Sequence, residues 1–109
     1  MEEAVTRSVV VLRRALRQEY PGARFEVALT RGLRNLELTV DSAGFRHYAL
    51  DKVQRHSLGQ AMARFTLQHY GAAATLDTIT IQIIEERSGA LFWKNWVFDR
   101  ESFGVSGLR

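Results

Sequence analysis

The chain predicts an α+β domain in which an antiparallel sheet of four to five strands carries two helices on one face, in the order α-β-β-(β)-α-β-β. Three observations carry that prediction. Apolar residues recur at helical spacing over residues 2–20 and again over 57–69. They alternate at strand spacing over residues 24–40 and 78–98. Turn residues, Pro21-Gly22, Arg31-Gly32 and Gly71, separate these runs. Helices that bury one stripe and strands that bury one face satisfy each other in two layers.

In the first helix Val5, Val9, Leu12, Leu16 and Tyr20 make one apolar stripe. Arg7, Arg13, Arg14 and Arg17 fall on a neighbouring arc about 120° wide, at about 100° per residue. Such an arc is either a solvated face or a nucleic-acid-binding one. Val10 and Val11 interrupt the polar side, and Glu3 dilutes the charge. Pro21-Gly22 ends the helix, because proline cannot continue its hydrogen-bond ladder.

Over residues 24–40, Phe25, Val27, Leu29 and Leu36, Leu38, Val40 alternate around Arg31-Gly32. A two-residue turn there predicts Phe25 opposite Leu38 and Val27 opposite Leu36. Residues 45–50 are a candidate third strand after the turn Asp41-Ser42-Ala43-Gly44. Ser57 and Gln60 have the spacing of a capping box for the second helix. Leu58, Ala61, Met62, Phe65 and His69 form its stripe, and Gly59 within it predicts close packing against a neighbour.

The last hairpin, residues 78–98, is the most apolar stretch. Ile79, Ile81 and Ile83 lie on one face of its first strand, whereas the second strand is apolar on both faces. A three-residue loop over Arg87, Ser88 and Gly89 predicts Ile83 opposite Trp93 and Ile79 opposite Val97, leaving Phe92, Trp96 and Phe98 outward. A two-residue Ser88-Gly89 turn predicts Ile81 opposite Trp96 and Ile79 opposite Phe98 instead. The first register is preferred, since the second puts Lys94 opposite Ile83 on the buried face. The segments LRQEYPGARFEVALT and LQHYGAAATLDTITI echo each other faintly, as a duplication would make them do.

The 109 residues suffice for one domain, placed at 1–99, with residues 100–109 as a C-terminal tail containing two glycines and scattered Phe103, Val105 and Leu108. With no cysteine, disulfides, thiolate metal sites and cysteine nucleophiles are excluded. The net charge is +3, supplied mostly by arginine, since Lys52 and Lys94 are the only lysines. No apolar run approaches the roughly 20 residues of a membrane span, and the start of the chain lacks the charge order of a secretory signal. A cytoplasmic location without membrane association is expected.

His47, His56 and His69 have no metal-binding spacing, so no metal or other cofactor is expected. No serine lies in a nucleophile elbow, and no glycine-rich phosphate loop is present, so no catalytic residue is assigned. Glu85 and Glu86 are consecutive strand residues and point to opposite faces. The sequence therefore favours a non-enzymatic interaction or assembly domain over an enzyme. Self-association, most simply as a homodimer, would use the aromatic sheet face of Phe92, Trp96 and Phe98. The alternatives are a protein partner on the same face, nucleic-acid binding by Arg7, Arg13, Arg14 and Arg17, and a small apolar ligand or enzyme pocket lined by Met62, Phe65, Tyr70 and the aromatics of the last strand, with His69 or Asn95 as polar contact.

Overall fold

Two helices lie on one face of a four-stranded sheet in a computed structural model of the chain, which describes the backbone of residues 2–41, 51–88 and 93–109 and the side chains of residues 3–41, 51–84 and 100–109. Helix α1 spans Glu2–Glu19 and buries Leu12 and Leu16 completely. Gly22, at φ +88°, makes the turn that follows. The Tyr20 ring packs against Phe25 at 5.9 Å and Phe65 at 6.0 Å, joining the end of α1 to the sheet and to the second helix.

Strands β1 (Arg24–Thr30) and β2 (Asn35–Asp41) pair antiparallel, with Phe25 opposite Val40, Val27 opposite Leu38 and Leu29 opposite Leu36. The register differs by two residues from the one a two-residue turn would set. The loop is Arg31–Arg34, and Arg31, Gly32 and Leu33 all have positive φ, at 53°, 62° and 72°. The physical reason is pairing. A two-residue turn sets Leu29 against Arg34 and Val40 against Ala23, whereas the longer loop matches all six apolar residues. Because the shift is even, the same residues still share one face.

Residues 42–50, including the candidate strand at 45–50, lie outside the described residues. Helix α2 spans Lys52–His69, earlier than the Ser57 start expected. Its capping box is Asp51 with Gln54: Gln54 N donates to Asp51 Oδ1 at 2.7 Å, and Asp51 N donates to Gln54 Oε1 at 3.0 Å. Both boxes have the right spacing, but a cap forms where the chain turns into the helix. Gly59 is buried, with the Phe103 ring 3.6 Å from where a Cβ would stand, so the close packing expected of it is present.

After a 3-10 turn at Ala73–Thr75 the chain forms β3 (Thr78–Ser88) and β4 (Trp93–Gly104). The sheet order is β1-β2-β3-β4, and it is mixed. β2 and β3 run parallel, with Leu36 opposite Ile79, Leu38 opposite Ile81 and Val40 opposite Ile83. The antiparallel sheet expected from the sequence is therefore corrected at its centre. An 18-residue helix rises about 27 Å, enough to return the chain to the end of the sheet where β2 began. The next strand must then run the same way as β2.

The β3–β4 register matches neither expectation. Ile79 faces Phe103, Ile81 faces Glu101 and Ile83 faces Asp99; a bulge follows, after which Ile84 faces Val97 and Glu85 faces Trp96. Ser88 faces Trp93, so four residues connect the strands and β4 continues through residues 100–104. Phe103, placed in the tail by the sequence, is a β4 residue opposite Ile79, a pairing that the aromatic run had obscured. Helix α3 (Val105–Leu108) closes the chain, and Phe103, Val105 and Leu108 all join the core.

The core is a sandwich of Leu36, Leu38, Val40, Ile79, Ile81 and Ile83 against Leu12, Leu16, Met62 and Ala63. Burying each large apolar side chain is worth about 1.5–3 kcal/mol. Strand directions place the start of α1, the β1–β2 loop and α3 at one end of the sheet, and Ser88 and Trp93 at the other. The two α-β-β halves are not related by symmetry. A rotation that keeps both helices on one face and reverses strand direction would produce the order 1-2-4-3, which the observed order excludes.

Candidate functional site

Among the described residues, the distal hairpin is the part of the sheet with no third strand beside it. Asp41, the last described residue of β2, pairs with Ile84, and beyond it β3 and β4 stay paired through Glu85–Trp96, Glu86–Asn95, Arg87–Lys94 and Ser88–Trp93. The backbone of these residues is a two-stranded arm projecting past the described part of β2. Of the three expected interface residues, Trp96 occupies a paired position on this arm. Phe98 lies in the bulge between Val97 and Asp99, and Phe92 lies outside the described residues. The outward orientation expected of all three falls outside the described side chains.

The face of the sheet away from the helices is mostly polar where its side chains are described, with Ala28 and Ile84 the apolar exceptions among the described residues. Asn35 joins three strands there: its Nδ2 donates to Thr30 Oγ1 at 2.9 Å, and its Oδ1 accepts from Thr78 Oγ1 at 2.6 Å and Thr80 Oγ1 at 3.2 Å. Thr80 continues the ladder to Ser102 on β4 at 2.9 Å. A second row sets Arg100 Nη1 against Gln82 Oε1 at 2.5 Å and Glu37 Oε1 at 3.4 Å. This network was legible only as polar alternation, because the partners of Asn35 come from β1 and β3, five and more than forty positions away. With its groups satisfying one another, this part of the face is not an apolar docking surface.

The arginine arc is placed as the helical spacing predicts. Arg7, Arg13, Arg14 and Arg17 are all exposed on α1, and Val10 and Val11 stand among them, 50% and 55% exposed. Arg7 Nε donates to the Glu3 carbonyl at 3.4 Å. Among the described residues none of the four is in an ion pair, in contrast to Arg34 with Asp77 at 3.6 Å and Arg100 with Glu37.

The histidines are not brought together. His56 Nδ1 meets Glu101 Oε2 at 2.6 Å across α2 and β4, with its ring 5.9 Å from that of Phe103. His69 stacks on Phe65 at 4.0 Å and donates from Nδ1 to the Phe65 carbonyl at 2.9 Å. His47 lies outside the described residues. Among the described residues, no three His, Asp or Glu side chains gather closely enough to hold a metal ion.

Met62 and Tyr70, two residues of the expected pocket, are core residues at 0% and 2% exposure. The Tyr70 hydroxyl and Thr66 Oγ1 are buried without a hydrogen-bond partner among the described residues. Burial also pushes the Tyr70 phenol above its ordinary pKa near 10. An open cleft of about 580 Å³ instead lies at the α3 end, lined by Leu76, Asp77, Val105, Ser106 and Arg109.

Comparison with protein-family models, with curated proteins and with solved structures gave no match. Among the described residues no helix is long and apolar enough to cross a membrane.

Proposed function

We propose that the protein is a non-enzymatic interaction domain that self-associates through the distal half of the β3–β4 hairpin. The observation that carries this reading is the ladder that continues past the described part of β2: four strand pairs, Glu85–Trp96 to Ser88–Trp93, with no third strand beside them among the described residues. An isolated two-stranded ribbon is marginally stable in water. Tryptophan is costly to leave open and is enriched in binding hot spots. An arm with two tryptophans among its eight paired residues is stabilised by whatever covers it.

A second copy of the chain is the partner that suits it. Glu85 and Glu86 on one strand balance Arg87 and Lys94, so the arm has both signs and no net charge. Two-fold association needs a surface complementary to itself, and a balanced arm meets that requirement where a single-sign surface does not.

Light scattering on the wild type and on Trp96→Asp, at low and high salt, tests the reading. The wild type is expected to be a dimer that persists in salt. The variant is expected to be a folded monomer, its dimer weakened by 2 kcal/mol or more, about 30-fold in Kd. A wild-type monomer at all concentrations would overturn the proposal.

A further inference from the structure

We infer that the outer face of α1 docks the phosphate backbone of a nucleic-acid duplex. This surface is separate from the distal hairpin, so the inference does not depend on self-association. Its four arginines form two rows. Arg13 and Arg17 are one turn apart, about 6 Å along the axis, and Arg7 and Arg14 are two turns apart, about 10.5 Å. At about 100° per residue the rows lie about 90° apart around the helix, with Val10 between them. A groove in a duplex is bordered by two phosphate strands, and a helix laid along it meets one strand with each flank.

Charge supports the same occupant. Surface arginines commonly spend their charge on neighbouring carboxylates, as Arg34 and Arg100 do in this molecule. Those of the α1 arc have no such partner among the described residues, and Glu3 is the one acid between the rows. Arginine presents a planar fork of donors that matches phosphate oxygens. A lipid surface fits less well. An interfacial helix inserts its apolar face, whereas Leu12 and Leu16 of α1 are wholly buried in the core, and only two valines remain outside.

The geometry also sets the kind of binding. Four phosphate contacts give a slope of log K against log salt of about −3.6, at about 0.9 per contact. That is a loss of about a hundredfold in affinity between about 50 and 200 mM salt. Binding is insensitive to base sequence, because phosphate contacts position a protein without reading bases.

The test is fluorescence-anisotropy titration of a labelled DNA duplex of about 20 base pairs across that salt range. The wild type, Arg13→Gln/Arg17→Gln, Arg7→Gln/Arg14→Gln and the control Arg64→Gln, an exposed arginine on α2, are compared, with thermal melts to confirm folding. Each double variant is expected to halve the slope to about −1.8 and to bind at least tenfold more weakly at low salt. The control should match the wild type, and Glu3→Gln should bind more tightly. Absence of salt-dependent binding would overturn the inference. So would double variants that bind like the wild type, a control that weakens as much as they do, or binding to phosphatidylserine vesicles but not to the duplex.

Discussion

Tyr70 and Thr66 each bring a hydroxyl into the core and give it no partner among the described residues. Leaving such a group unpaired costs about 1–3 kcal/mol, whereas removing it while keeping the shape does not. Tyr70→Phe is therefore expected to hold or raise stability at neutral pH, by up to about 1 kcal/mol, in urea titration. The same phenol makes stability depend on alkaline pH. Its folded pKa lies above its unfolded one, so its contribution is complete below pH 10 and declines as pH rises through the folded value. Tyr20 behaves alike, raised by burial and then by the Glu19 carboxylate. Tyr70→Phe should flatten the decline above pH 10 in part, leaving the share due to Tyr20. A decline as steep as the wild type's would show that Tyr70 does not titrate with unfolding. In the β1–β2 loop, Gly32 at φ +62° tolerates no β-branched side chain, and Gly32→Val should cost about 1–2 kcal/mol.

Elements repeat the lesson that periodicity reveals faces more readily than registers. The stripe Leu12–Leu16 and the alternation of Leu36, Leu38 and Val40 named their buried faces correctly, because a period of 3.6 or 2 depends only on neighbours along the chain. Registers depend on loops, and an even shift in β1–β2 leaves every face unchanged while moving every partner. The same limit hid the β3–β4 pairing, where the aromatic run of residues 91–98 looked like the partner of Ile79–Ile83. The partners of Ile79 and Ile81 are Phe103 and Glu101, six positions further on than the preferred register, with Ile79 opposite Val97, suggested. Helix α2 offers two tests at this scale. A methyl group at Gly59 would stand 3.6 Å from Phe103, an ordinary contact, so Gly59→Ala should stabilise by about 0.5–1 kcal/mol through helix propensity. Gly59→Leu should destabilise, since Phe103 leaves no room for the longer chain. Asp51→Ala should cost about 1 kcal/mol through loss of the cap, and Ser57→Ala, inside the helix, should cost less.

For the whole molecule, the parallel joint between β2 and β3 is what makes one sheet of two hairpins, and it was not visible in any local pattern. It follows from the length of α2, through the end of the sheet at which that helix delivers the chain. Residues 100–109 hold the far side of the assembly through Phe103, Val105 and Leu108, so a chain ending at Asp99 should lack a cooperative unfolding transition, as calorimetry would show. The two proposed surfaces were legible to different degrees. Arg7, Arg13, Arg14 and Arg17 followed from helical geometry alone, whereas the arm needed the β3–β4 register, which no local pattern set. The start of α1 and helix α3 lie at the pole of the sheet opposite that arm, in a molecule 43 Å long. If two copies join arm to arm, a dye coupled near Leu108 on each sits at the outer tips of the pair, where energy transfer between them is faint. Dyes beside Ser88 would quench or transfer strongly, so a pair of labels reads the orientation of the dimer without a crystal.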